Sequence, residues 1–200
     1  MVLTYTNSFR PKKTNPRGIP EAPFIDKVEN IIKDPENDFD NIMKMFQDRL
    51  QQYKYMEISK KQQLADLKVK IPDIEKNLQI IDLIKEKKTG SNDEDEDVDD
   101  DENNKIIETN YELNDTLYMK ASINTENLNS VYLWLGADVM LEYPLDEAVK
   151  LLNDRLTNNN QQLKLVKEDL EFLKENITTM EVNTARLYNW DVERRKKNKL

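Results

Sequence analysis

Few residues in this chain have both the type and the spacing to do chemistry. Asp93, Asp95 and Asp97 alternate within the acidic run Asp93 to Glu102, the spacing at which a calcium loop presents its carboxylates. An EF-hand loop also needs a glycine at its sixth position for the sharp turn, and Val98 stands there. The run therefore reads as a solvated linker, with mimicry of nucleic acid or capture of a basic partner as the other readings. The 200 residues include no histidine and no cysteine. That removes the commonest general base, the commonest neutral metal ligand, and all thiolate and disulfide chemistry. No paired-carboxylate, Ser/His/Asp or phosphate-cradling pattern occurs, and "RGIP" (Arg17 to Pro20) has one glycine without Walker spacing. No catalytic, cofactor-binding or metal-ligating residue is assigned, no cofactor is expected, and an enzyme is not the reading.

The net charge of -9 misleads. Nine of the 39 acids lie in the acidic run, leaving 30 acids against 30 bases elsewhere. A nucleic-acid-binding domain carries a broad basic face, and only "RRKKNK" (Arg194 to Lys199) is basic enough to notice. That cluster reads as a helix C-terminus whose cations complement the dipole. A nuclear signal or a client-contacting patch is the competing reading. The segment "MVLTYTNSFRPKK" has no apolar h-region and no stretch reaches bilayer-spanning length. No nucleic acid and no membrane are expected as partners, a reducing, cytoplasmic setting is expected, and the sequons at Asn114 and Asn176 read as chance matches.

What remains is the question of elements. A mean hydropathy of -0.84 with 34% charged residues and three glycines is the profile of long helices with little globular core. Phe39, Met43, Phe46, Leu50, Tyr53, Glu57, Lys60, Leu64, Leu67, Ile71, Ile74, Leu78 and Ile81 are separated by alternating fours and threes. Leu145, Val149, Leu152, Leu156, Asn159, Leu163, Val166, Leu170, Leu173, Ile177, Met180, Thr184 and Leu187 repeat the pattern. Each stripe covers about six heptads, roughly 60 Å of helix. Sustained a/d spacing predicts coiled coil, and equal stripe lengths predict one chain folding back, Phe39 near Leu187 and Ile81 near Leu145. Pro72 should bend the first helix without ending it.

Between the stripes, "IIETNYEL", "TLYMKASI", "SVYLWLG" and "DVMLEYPL" read as four strands in two hairpins. Asn114-Asp115 and "NTENLN" supply turns, and Gly136 punctuates the second pair. Leu117, Met119, Ala121 and Ile123 share one face. In the third strand Val131, Leu133 and Leu135 oppose Tyr132 and Trp134, so both faces are apolar. Isolated hairpins are marginal in water and leave open edges. The strands are therefore expected to be completed by other chains through Leu117, Met119, Val131, Leu133, Trp134, Leu135, Val139 and Leu141.

The expected fold class is mainly α: a long antiparallel coiled-coil hairpin with two β-hairpins between the helices that join an intersubunit sheet or β-barrel. Six segments are expected. They are an N-terminal extension with a short amphipathic helix (1–34), a first coiled-coil helix (35–88), an acidic disordered loop (89–105), two assembly hairpins (106–144), a second helix (145–195) and a basic tail (196–200). The short helix rests on Phe24, Ile25, Val28, Ile31 and Ile32, and Asp34-Pro35 on an N-cap followed by proline.

"RGIPEAPF" (Arg17 to Phe24), "IPDI" (Ile71 to Ile74), "LYMKAS" (Leu117 to Ser122), "VYLWLGADVMLEY" (Val131 to Tyr143) and "ARLYNWDVERR" (Ala185 to Arg195) follow in an order and spacing that resembles alpha-type subunits of eukaryotic prefoldin. The resemblance covers nearly the whole chain, and the acidic insertion departs from the family's shorter loop. It implies a heterohexamer with one further alpha-type and four beta-type subunits, a β-structured body and projecting coiled coils. It also implies ATP-independent capture of unfolded actin and tubulin and their delivery to the cytosolic chaperonin. Client contact is expected at the coiled-coil tip, through Phe39, Met43, Met45, Leu187, Tyr188 and Trp190. The competing reading of Tyr188 and Trp190 is an aromatic clasp that closes the coiled coil. The rival class is a parallel homodimeric coiled-coil scaffold or adaptor, transcription-associated in one version.

Overall fold

The computed structural model describes residues 13–32, 38–89 and 105–197. Two long helices, α1 (Phe39–Thr89) and α2 (Leu145–Lys197), enclose in sequence four strands: β1 (Ile106–Asn114), β2 (Leu117–Asn124), β3 (Ser130–Gly136) and β4 (Val139–Pro144). The chain divides into two compact units, one drawn from Met1–Asp66 and Gln162–Leu200, the other Leu67–Gln161. The acidic run and Asp34-Pro35 lie outside the described residues.

Each residue of both a/d stripes is buried or half-buried, the polar positions Glu57, Lys60, Asn159 and Thr184 included. Helix α1 runs through Pro72. The proline removes one bond, to the carbonyl four residues back, while the apolar stripe on either side keeps the register. In the first unit the ion pairs Lys54–Glu181 (2.9 Å) and Lys60–Asp169 (3.0 Å) show that the helices run antiparallel. Phe39, Phe46, Tyr53, Leu173, Met180 and Leu187 share one buried core there. In the second unit Ile81, Ile84, Leu145, Ala148 and Leu152 form another. The fold-back thus brings Phe39 and Leu187 into one core and Ile81 and Leu145 into the other, all within a single chain.

The apolar N-terminal segment departs from expectation. In place of an amphipathic helix over Phe24 to Ile32, the chain lacks regular structure from Glu21 to Lys27 and then makes one 3-10 turn at Val28–Asn30. Pro20 and Pro23 forbid helical hydrogen bonds at their own positions and disfavour helix at the residue before each. The buried residues recur every third position (Ile19, Ala22, Ile25, Val28), with Ile32 beyond, and all join the first unit's core. Phe24, expected on the apolar face, points outward beneath the Arg186 guanidinium, 4.7 Å from its ring centre. The segment is therefore a third strip laid on the helix pair.

Both hairpins are antiparallel two-stranded sheets. The β1–β2 turn sits at Asp115-Thr116, one residue beyond the position expected, because Asn114 still pairs with Leu117. Its Oδ1 accepts the Asp115 N–H at 2.9 Å, and Thr116 takes up the left-handed φ of 70°. The β3–β4 turn places Ala137 and Asp138 at φ 50° and 56°, the sign pattern that matches strand twist in two-residue hairpins. Thr125 pins the connection between hairpins, its hydroxyl donating to the Lys105 carbonyl at 2.8 Å.

Candidate assembly and client-binding surfaces

The cross-strand register sorts the hairpin residues by face. In β1–β2, the pairs Ile107–Ile123, Thr109–Ala121 and Tyr111–Met119 lie on one face, and Glu108–Ser122, Asn110–Lys120 and Glu112–Tyr118 on the other. Such alternation is the mark of a sheet with one face covered. Yet Tyr111, Leu117, Met119 and Ile123 are exposed, Met119 to 50%. Ile107, at one end of this face, packs against the core of Ile81, Leu145 and Leu152, and over the other four the described residues supply no cover.

The second hairpin divides its two apolar faces. Val131, Leu133 and Tyr143 pack on the core of Ile81, Leu145 and Leu152. Tyr132, Trp134 and Met140 look the other way, with Trp134 at 56% exposure paired across the strands with Met140. Leu135 is half-buried, and Val139 and Leu141 are exposed. Of the eight residues expected to carry assembly, Val131 and Leu133 thus serve the intrachain core, whereas Leu117, Met119, Trp134, Val139 and Leu141 are free for a partner. Both edges of each hairpin lack a strand neighbour among the described residues. Exposed apolar faces and unpaired edges are the features that associate.

The residues expected to touch client separate similarly. Phe39 and Leu187 are buried in the first unit's core, with Met43 and Trp190 packed against it. Trp190 donates its indole N–H to Glu29 Oε1 at 3.1 Å, and the Arg194 guanidinium lies over its ring at 5.8 Å. Met45 and Tyr188 are exposed, Tyr188 to 60%.

A set of polar residues that the heptad reading passed over holds the N-terminal strip. Asp169, Asn176 and Asn183 stand seven apart, each beside the a/d seam, and all are buried. Asn176 Oδ1 accepts the Ala22 N–H. Asn183 Oδ1 accepts the Ile25 N–H at 3.0 Å while its Nδ2 donates to the Pro23 carbonyl at 2.7 Å. Seven helical residues rise about 10 Å, and three residues of nearly extended chain span about the same distance. One heptad of α2 therefore meets Ala22 and Ile25 in step. Arg186 Nη1 donates to the Ile25 carbonyl (2.8 Å) and the Tyr53 hydroxyl to the Pro20 carbonyl (2.9 Å). Burial pushes the Tyr53 phenol above its ordinary value.

Asp169 anchors the strip's start. Lys13 to Glu21 form a small loop in which Asn15 Oδ1 accepts the N–H of Arg17 and of Ile19, and Gly18 adopts φ 84°. The loop presents Asn15 Nδ2 (2.8 Å) and Arg17 Nε to Asp169 Oδ1, while Lys60 Nζ lies 3.0 Å from Oδ2. Burial pushes this carboxyl up, but the hydrogen bonds and charges of Arg17 and Lys60 outweigh it and hold it below the usual range. The sequon at Asn176 is likewise explained, since its side chain is buried and bonded. Three short polar residues at a seven-residue interval beside the seam were the signal available in the sequence.

Among the described residues no group of three or more His, Cys, Asp or Glu could hold a metal ion, and no helix is long and apolar enough to cross a membrane. The geometry defines a class: an intrachain coiled-coil hairpin carrying β-hairpins with uncovered apolar surface. Comparison with known proteins gives the family. A family model described as "Prefoldin subunit" matches residues 53–190. "Prefoldin subunit 3" of Saccharomyces cerevisiae is 50% identical over 190 residues, covering 94% of this chain and 90% of that one. "Probable prefoldin subunit 3" of Schizosaccharomyces pombe is 43% identical, with 94% and 98% covered. "Prefoldin subunit 3" of Homo sapiens is 41% identical, with 90% and 84% covered. The chain belongs to the prefoldin family and is a prefoldin chaperone subunit.

Proposed function

We propose that this chain is an alpha-type subunit of a heterohexamer containing one further alpha-type and four beta-type subunits. Strands from neighbouring subunits cover the apolar faces of its hairpins and complete an intersubunit β-barrel. The assembly works in the cytoplasm as a holdase and not as an enzyme. It captures unfolded actin and tubulin without ATP and passes them to the cytosolic chaperonin. The observation that carries this reading is the apolar face Tyr111, Leu117, Met119 and Ile123, exposed on a hairpin whose opposite face is already polar. An amphipathic sheet left bare on its apolar side is built for a cover.

The client surface assigned here includes Met45 and Tyr188, both exposed in the first unit. Phe39 and Leu187 lie buried in the same unit's core, with Met43 and Trp190 packed against it. The test is co-expression with the five partner subunits followed by native mass measurement and by nucleotide-free capture of urea-unfolded actin. A six-chain complex that holds actin and releases it to chaperonin is expected. A soluble monomer indifferent to those partners would overturn the reading.

A further inference from the structure

The strip 13–32 lies in a groove between α1 and α2 of the first unit, and it is held in an unusual manner. Five hydrogen bonds from α1 and α2 reach its main chain at Pro20, Ala22, Pro23 and Ile25, from Tyr53, Asn176, Asn183 and Arg186. Main-chain N–H and C=O groups are common to every polypeptide, so these contacts specify an extended chain and not a sequence. Beside Ile25 opens a surface cleft of about 170 Å³ whose walls combine Met45, Phe46 and Met180 with the polar side chains of Asp48, Arg49, Gln52 and Asn183. The two methionines in its wall adapt readily to side chains of other shapes.

We propose that this groove is a binding site for an extended apolar segment of an unfolded protein. The N-terminal strip is then its resident occupant in cis. It shields the floor formed by Ile42, Phe46, Tyr53, Leu173, Met180 and Leu187, and it yields when a client segment brings a larger side chain to the cleft beside Ile25. Tethering favours the strip through a high effective concentration, so its release sets the apparent affinity for client. This rests on the holdase reading and adds the site and its regulation.

The experiment uses the full chain within its hexamer. Phe24→Cys and Thr179→Cys place thiols on residues that line one surface cavity, and neither side chain makes the main-chain bonds. The chain has no cysteine of its own, so a short cleavable reagent with two thiol-reactive ends, applied before assembly, fastens the strip at one place. Fastening is expected to weaken capture of urea-unfolded actin about tenfold, and cleavage of the linker to restore it, while single-cysteine controls stay unchanged. Equal capture in the fastened and cleaved states would overturn the inference and leave the holdase reading standing. Absence of capture in every state, unsubstituted chain included, would overturn both.

Discussion

The two units handle the same material in opposite ways. In the first, the helix pair, too thin to bury all its apolar surface, receives a third strip from its own chain, so that Ile19, Ala22, Ile25, Val28 and Ile32 enclose Phe46 and Met180. In the second, the helix pair covers Val131 and Leu133, but Trp134, Met119 and Leu117 stay exposed. Local chain supply decides the difference. Residues 13–32 precede α1 and carry a buried apolar side chain at every third position from Ile19 to Val28, and the hairpins have no such neighbour in sequence. One unit closes its core internally, and the other presents an incomplete one.

The sharpest way to break this comparison is to charge each region. Trp134→Asp together with Met119→Asp puts two carboxylates on the exposed surfaces proposed to meet partner subunits. Removing a charge from water costs several kcal/mol per ion when nothing pairs it. Assembly with partner subunits should be lost by size exclusion, while the helical circular dichroism of the chain is retained. Leu133→Asp is a poorer test, because Leu133 already packs on the intrachain core. If the double variant enters the complex normally, the exposed faces are not the interface.

The converse substitution belongs in the first unit. Leu173→Ala empties a fully buried position and should cost about 2–5 kcal/mol. That loss should appear as a lower melting temperature in the isolated chain as well as in the complex. Leu165→Ala on the same helix, at an exposed position, should change stability by no more than about 0.5 kcal/mol. Similar effects from both would mean that the first unit's core is not closed.

Much of this architecture was legible in the sequence because heptads repeat. A register shifted by one residue would put Asp40, Lys44, Lys54, Lys61, Lys68 and Glu75 on the first seam in place of Glu57 and Lys60, the charges it does carry, so the stripes fixed both helices and the fold-back. Strand faces were legible for the same reason of period. The N-terminal strip was not, because a spacing of three matches neither the helical 3.6 nor the strand's 2. Phe24 and Ile25 together therefore resembled one face of a helix. The buried Asp169, Asn176 and Asn183 were hidden by their chemistry, since short polar residues flanking an a/d seam ordinarily face solvent. Their role appears only when a main chain with amides to satisfy is laid on top.

Smaller effects sharpen the contrast within the strip. Asn183→Ala deletes two bonds to its main chain and leaves the Ile25 N–H and the Pro23 carbonyl without their partner. A cost of about 1–3 kcal/mol is expected, confined to the strip. Proteolysis after residues 13–27 should accelerate while the melting temperature of the helices moves little. A large global loss would instead make the strip an integral part of the coiled-coil core.

The smallest effect at neutral pH concerns Asp169. Its carboxyl is held below the ordinary value because the hydrogen bonds and charges of Arg17 and Lys60 outweigh burial, with Glu168 also paired to Arg17. A depressed carboxyl stabilises the folded state fully above the unfolded value of about 4 and loses that contribution as pH falls through the lower folded value. The strip's anchor should therefore be constant from pH 8 to 5 and weaken only in stronger acid. Asp169→Asn, which keeps the shape without the charge, should loosen residues 13–19 at neutral pH and remove the acid dependence, as read by amide hydrogen exchange. Unaltered exchange at Asn15 to Ile19 in that variant would show that Asn15 and the backbone contacts hold the loop unaided, making the ion cluster a passenger on the strip and not its anchor.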